Sequence, residues 1–182
     1  MSGKTHDTDD FWLRLDNAAK IYPAIKDREL TAVFRIAVEL KERIKAKQFL
    51  QAVCMLEERF PYFKVKLKTG FFWYYLEPGS RKITVLVDRG LPCRAFNKED
   101  LLFRILVKEN RISAEFSHIL SDGTGALAFL KTLLFIYFKK CGVPLPGNFE
   151  YHRPDEAPSK EEYEDAYKRY FKKTSAAPPK IS

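Results

Sequence analysis

From Leu30 to Leu40 every second residue is apolar: Leu30, Ala32, Phe34, Ile36, Val38 and Leu40 alternate with Thr31, Arg35, Glu39 and their neighbours. A period of two is what a strand shows when one of its faces is buried. The chain is therefore built around a sheet. Next, Ile44, Phe49, Val53, Leu56 and Phe60 recur near helical spacing through good helix formers, and Pro61 stops them, which predicts an amphipathic helix.

Three short runs follow, Phe63 to Lys68, Phe71 to Leu76 and Arg81 to Val87, punctuated by Gly70 and by Pro78-Gly79-Ser80. They read as an antiparallel meander. Arg89 to Asp100 has no period and reads as a loop. Two further strands, about Leu101 to Val107 and Ile112 to Ser117, are joined by Lys108-Glu109-Asn110-Arg111, a hairpin connection. Beyond Ser-Asp-Gly-Thr-Gly, a stretch from Ala126 to Phe138 is apolar on more than one face and ends before Gly142 and Pro144. Such a helix must be buried or packed against something outside this chain, leaving an apolar patch if the chain stands alone. The fold class expected is α+β, a mixed, mostly antiparallel sheet with helices packed on it.

Length fits one compact domain plus a tail. A domain near 150 residues buries roughly 70% of the surface its unfolded chain exposes, and the 182-residue chain is 46% hydrophobic and 31% charged, too apolar for a disordered body. From Val143 onward the composition shifts: six of the ten prolines fall there, around a charged, tyrosine-rich stretch from Lys160 to Lys173. This divides the chain into a subdomain over residues 1–145 and a Pro-rich charged linker over 146–182, with one marginal helix in it.

The net charge of +8 suits nucleic acid, an anionic membrane surface or a phosphorylated cofactor equally. The lysines Lys41, Lys45, Lys47, Lys64, Lys66, Lys68, Lys139 and Lys140 fall mostly on the polar side of an alternating pattern, so they read as a solvated face. Cys54, Cys93 and Cys141 have no close pair and no CxxC spacing, which points away from disulfides and zinc and towards a reducing compartment. With no apolar leader and no stretch of about 18 apolar residues, a soluble, cytoplasmic protein with no transmembrane segment is expected.

One constellation carries chemistry: Ser117-His118-Ile119-Leu120-Ser121-Asp122-Gly123, between a predicted strand and a predicted buried helix. The spacing His-x-x-x-Asp-Gly resembles the His-His-x-x-x-Asp-Gly motif of the superfamily of chloramphenicol acetyltransferase, peptide-synthetase condensation domains and alcohol acetyltransferases. His118 stands at the second, catalytic position, and Ser117 departs from the pattern at the first. The element order upstream is similar to the N-terminal half of those enzymes, and Leu15-Asp16-Asn17-Ala18-Ala19-Lys20-Ile21-Tyr22-Pro23 resembles the opening segment of bacterial alcohol-acetyltransferase-like members. The resemblance covers residues 11 to 145 and implies one half of a chloramphenicol-acetyltransferase-like fold.

What it implies chemically is direct acyl transfer. A general base takes the proton of an acceptor alcohol or amine as that atom attacks a thioester carbonyl, and an imidazole, titrating at about pH 6.5 in its ordinary state, is basic at neutral pH. The donor implied is acetyl-CoA or another acyl-CoA, with no metal. By strand alternation His118 shares a face with Ile112, Ala114 and Phe116 and points into the protein or a cleft. Asp122 reads either as a helix N-cap or, as the resemblance implies, as a structural aspartate paired with an arginine, for which Arg14 is the candidate. Gly123 and Gly125 allow a tight turn beside the site, though a turn entering a helix uses glycine anyway. The plain alternative for His118 is a core histidine at a strand end, hydrogen-bonded to a neighbour.

Other chemistries find less support. Gly-x-Ser-x-Gly is absent, Cys54 sits at a core-like helical position, and no phosphate-binding Gly-rich loop occurs. His6 and His152 lack metal-ligand spacing. The run Phe71-Phe72-Trp73-Tyr74-Tyr75 suits a strand core or the wall of an acceptor pocket better than base stacking, so nucleic acid is not an expected partner.

Members of the superfamily have two similar halves, with the histidine reached by channels between them. No Asp-Phe-Gly motif and no second sheet follow Pro144 here, so the far wall of the site and most coenzyme A contacts belong elsewhere. A complementary half or a homo-oligomer would supply them. The competing reading is a binding or scaffold module of the same fold, without turnover, engaging a carrier protein or a partner chain.

Overall fold

In a computed structural model the described residues are 32–69, 74–159 and 162. Arg14, the opening segment and the aromatic stretch 70–73 lie outside them. The predicted first strand is β1, Val33–Glu39, and the helix after it is α1, Ala46–Arg59. α1 buries Phe49, Ala52, Val53 and Leu56, the i, i+3, i+4, i+7 stripe of an amphipathic helix. Its N-cap, Lys45, supplies no side-chain bond. Instead the Lys45 N–H donates to the Tyr137 hydroxyl of the second helix at 3.0 Å, so a tertiary contact satisfies one of the free donors that every helix start carries. Cys54 is exposed, which corrects the core-like position expected of it: in the register that buries Val53, the next residue points outward. Pro61 does more than stop α1, because it opens a single 3₁₀ turn, Pro61–Phe63, where its fixed φ and missing N–H cost nothing.

Two sheets follow. β2, Val65–Thr69, and β3, Tyr74–Pro78, pair antiparallel as a separate ribbon. β4, Val85–Val87, leaves them and lies parallel to β5, Phe103–Lys108, which forms the expected hairpin with β6, Arg111–Ser117. The four-stranded sheet has the order β1-β6-β5-β4. The three-run meander is thus corrected: only its first two runs are neighbours. The third joins the larger sheet because Ile83 and Val85 pack against the main core, whereas the ribbon buries Val65, Leu76 and Leu102 in a small cluster of its own.

α2, Gly123–Lys140, pairs with α1 over one face of the sheet. Between helices and sheet sits an aromatic core in which the Phe129 ring lies 5.0 Å from Phe63, 5.1 Å from Phe103 and 5.4 Å from Phe116. Gly142, at φ 73°, ends α2, with its N–H on the Lys139 carbonyl and the Val143 N–H on that of Phe138, the Schellman pattern that a left-handed residue permits.

The apolar patch expected along α2 is missing, since Leu127, 46% exposed, is the one large apolar residue of this helix among the exposed ones. Packing accounts for this. The chain after α2 folds back over it: the Tyr151 ring stacks on Phe135 at 3.6 Å and the His152 N–H donates to the Thr132 hydroxyl at 3.0 Å. The returning segment is clamped by Arg59, buried at the end of α1, which makes a two-pronged pair with the Glu162 carboxylate at 2.8 and 2.9 Å and donates to the Arg153 carbonyl. Tyr62 O–H adds a third bond to that carboxylate at 2.5 Å. Burial works to raise the Glu162 carboxyl, but the bonds from Arg59, Tyr62 and the Ser159 N–H outweigh it and hold the group at about 2. No helix among the described residues is long and apolar enough to cross a membrane.

Candidate functional site

β6 delivers His118. Ile112, Ala114 and Phe116 face the helices and are fully buried, and His118, one pleat further along the same face, is half-buried at the sheet's end. Its N–H donates to the Ala32 carbonyl at 2.8 Å, which extends the β1–β6 ladder past the last paired residues. Its ring lies 4.4 Å from the Phe34 ring at 35°, and Phe34 stacks in turn on Phe116 at 5.8 Å. Backbone and ring plane are thus both set by β1.

The turn after it is built by Ser117. This residue is buried, its carbonyl accepts from the N–H groups of Leu120 and Ser121 at 2.9 and 3.2 Å, and its hydroxyl accepts from Ile119 N–H at 3.3 Å. A residue met in the sequence only as a departure from a motif therefore folds the loop between the candidate base and α2. Asp122 is the N-cap of that helix, its carboxylate accepting from the Gly125 N–H at 2.8 Å. Of its two readings this one is present in the structure, while Arg14, the candidate for the other, lies outside the described residues. The two glycines differ. A Cβ on Gly123 would meet open space, whereas one on Gly125 would fall 2.4 Å from the Ser121 hydroxyl.

Sequence reading missed what covers the other face of the sheet. Arg35, Glu115 and Arg104 stand side by side on β1, β6 and β5, and the Glu115 carboxylate, 3% exposed, is held between both arginines, with Arg35 Nε at 2.9 Å and Arg104 Nε at 2.5 Å. The arginines also reach over to hold the loop that follows β4. Arg35 donates to the Leu91 carbonyl at 2.7 Å, Arg104 donates to the Arg94 carbonyl, and the Phe96 ring lies 4.5 Å from the Arg104 guanidinium. The Gly90 N–H, together with the Ser113 hydroxyl and Arg35, lowers the carboxyl of buried Asp88 below its ordinary range. Burial, reinforced by Glu115, raises the Cys93 thiol, the opposite of what a nucleophilic cysteine needs. No group of three metal-ligating side chains occurs among the described residues. The lysines of β2 are partly matched on the surface, Lys66 by Glu77 and Glu99, and Lys68 by Glu99.

No family model and no curated protein matches the sequence. The fold does have solved counterparts. The starter condensation domain of rhizomide synthetase RzmA superposes with a TM-score of 0.59 at 15% identity, over 76% of this chain and 40% of that one. Polyketide synthase associated protein 5 from Mycobacterium tuberculosis gives 0.56 at 17% identity, over 78% and 36%, and tallysomycin biosynthesis protein TlmII gives 0.55 at 14%, over 76% and 43%. A variant of the RzmA domain has been solved in complex with C8-CoA. This chain spans about two-fifths of the length of the structures it matches. At these identities the likeness establishes the fold alone: the chain folds like part of a condensation domain, a mixed sheet with helices packed on it.

Proposed function

We propose that the chain is one half of an acyl-CoA-dependent acyltransferase, with His118 as the general base that deprotonates an acceptor alcohol or amine. The observation that carries the reading is the placement of His118, a half-buried imidazole at the end of a central strand, with its backbone tied to β1 and a helix whose cap, Asp122, stands four residues on. The C8-CoA held by one structural neighbour supports an acyl-CoA as donor, acetyl-CoA among them. In this reading Asp122 and Gly123 fix the loop between base and helix, Arg14 braces it, and residues 1–145 form the acyltransferase-like subdomain, against which Tyr151 and His152 of the segment after it are packed. The partial coverage of the neighbours supports an opposite wall supplied by a second half or a second copy.

The test is transfer from acetyl- and octanoyl-CoA to a panel of alcohols and amines, read as released thiol, for the chain and for His118→Ala, each alone and mixed with a complementary half. Loss of a general base costs about 10²–10⁴ in rate, so turnover that collapses in the variant, with the melting temperature held, supports the reading. Equal turnover in both proteins sinks it. Octanoyl-CoA or carrier-protein binding without turnover in either favours the second reading, a binding module of the same fold, which the short span relative to the neighbours recommends.

A further inference from the structure

Consecutive strand residues point to opposite faces of a sheet. Phe116 and His118 face the helices, so Glu115 and its partners Arg35 and Arg104 face the other way. On that outer face a cavity of about 200 Å³ opens between the sheet and the loop after β4. Its floor is the Arg35–Glu115–Arg104 row, the carboxylate buried and the arginines half-buried, with buried Asp88 beside it. Here two guanidinium groups meet two carboxylates, and the charges balance.

Its rim is not balanced. Arg89 and Arg94 border the cavity, are exposed, and make no side-chain hydrogen bond or ion pair among the described residues. The remaining wall is apolar, from Leu86 and Leu106 on the strands to Leu91 and Pro92 on the loop. Among the described residues, Leu86 and Leu91 are each left 43% exposed. Two unmatched guanidinium forks over an apolar wall recognise one kind of molecule. Guanidinium pairs with carboxylate or phosphate through paired N–H donors, and the wall removes a short apolar tail from water at about 25 cal/mol per Å².

We propose that this face of the sheet is a binding site for a small amphipathic anion, a carboxylate or phosphate carried on a short aliphatic or aromatic tail. The volume sets the size. It lies below the about 300–1,000 Å³ of clefts that take drug-sized ligands, so the occupant is a fragment, or the anionic end of something longer. The site is independent of His118, which stands on the opposite face of β6. The floor row keeps the site preformed, because Arg35 and Arg104 hold the loop through the Leu91 and Arg94 carbonyls.

The experiment is a titration of the ¹⁵N-labelled chain, followed by amide shifts, with hexanoate and phenyl phosphate as the two head-group arms. Hexanol, inorganic phosphate and hexylammonium remove the head, the tail and the sign of the charge in turn. Saturable shifts over residues 86–94 are expected with at least one anion at about millimolar concentration, and the comparison of arms names the head group. Arg89→Gln combined with Arg94→Gln weakens binding about tenfold or more and leaves the melting temperature unchanged, since neither side chain is bonded among the described residues. Salt at about 0.5 M weakens it too. No saturable shift with either anion, equal shifts with hexylammonium or hexanol, undiminished binding by the double variant, or inorganic phosphate binding as well as phenyl phosphate each overturns the proposal. Binding of a Glu-rich peptide alone also overturns it, in favour of a protein-docking surface.

Discussion

The two faces of the four-stranded sheet solve the same problem by opposite means. Towards the helices, Phe103, Ile105, Ile112, Ala114 and Phe116 meet Phe129 and Leu133 in one apolar cluster. Away from the helices, Arg35, Arg104 and Glu115 hold down a loop of irregular chain. The first face gains by removing apolar area from water and has no charge to be titrated or screened. The second must first offset the cost of taking charge out of water, so it contributes little net stability while fixing where the loop lies. The candidate base grows from the first face, and the proposed anion site is built on the second. A sheet of this kind separates a rigid side from an adjustable one.

The contrast can be broken experimentally, most strongly at the aromatic core. Phe129→Ala removes the ring that touches Phe63, Phe103 and Phe116 and is expected to lose about 3–5 kcal/mol by chemical denaturation. Glu115→Ala leaves Arg35 and Arg104, each about one-fifth exposed, without their carboxylate, and a smaller loss of about 2 kcal/mol is expected. Replacing all three with Met or Leu should recover most of that loss while freeing the loop at 89–96, seen as faster amide exchange there. A triple variant as unstable as Glu115→Ala would mean that the row stabilises the fold outright. Asp122→Ala, removing the cap of α2, costs about 1 kcal/mol, and Gly123→Ala, into open space, changes stability by less than about 1 kcal/mol.

Acid sharpens the comparison further. Glu162 titrates at about 2, below its ordinary 4.5, and Asp88 is also lowered. A lowered pKa means that the folded state favours the ionised form, so the stabilisation is present above the ordinary value and drains away as pH falls. For Glu162 the window runs from 4.5 down to about 2. Exchange of the His152 and Ser159 amides, corrected for intrinsic rates, should accelerate across that window while amides in the middle of α2 stay protected. Uniform loosening of both would show that the returning segment and α2 open as one unit.

Much of the helix-facing side was legible in the sequence, because burial on one face imprints a period on the chain. β1, the β5–β6 hairpin, α1 and α2 all follow from alternation or helical spacing, and so does the direction of His118. Periodicity says which way a side chain faces and is silent about which strand lies beside it, so β4 read as the next turn of a meander when it is the parallel edge of another sheet. The outer face was illegible for a different reason. A Glu in an alternating strand signals solvent, and nothing local to Glu115 announces that Arg35, eighty residues away, and Arg104 will meet it. The return of residues 151–153 over α2 was hidden likewise, since Tyr151 and His152 sit among prolines and charges that spell a linker.

The strand order has a consequence for how the molecule comes together. β5 and β6 meet across a two-residue turn, where Glu109 takes a positive φ of 52°, and closing so short a loop takes about microseconds. β1 is the opposite case: its partner strand lies some seventy residues downstream, with α1, both strands of the ribbon, β4 and β5 in between. Contacts so distant along the chain are the slow ones, because the entropy of closing the long loop must be met before the pairing rewards it. The ladder zips shut late, and the Ala32 carbonyl and Phe34 ring that orient His118 arrive with it. The imidazole is therefore set in place by one of the last events of folding, and a chain arrested before β1 docks would carry the residue without its geometry.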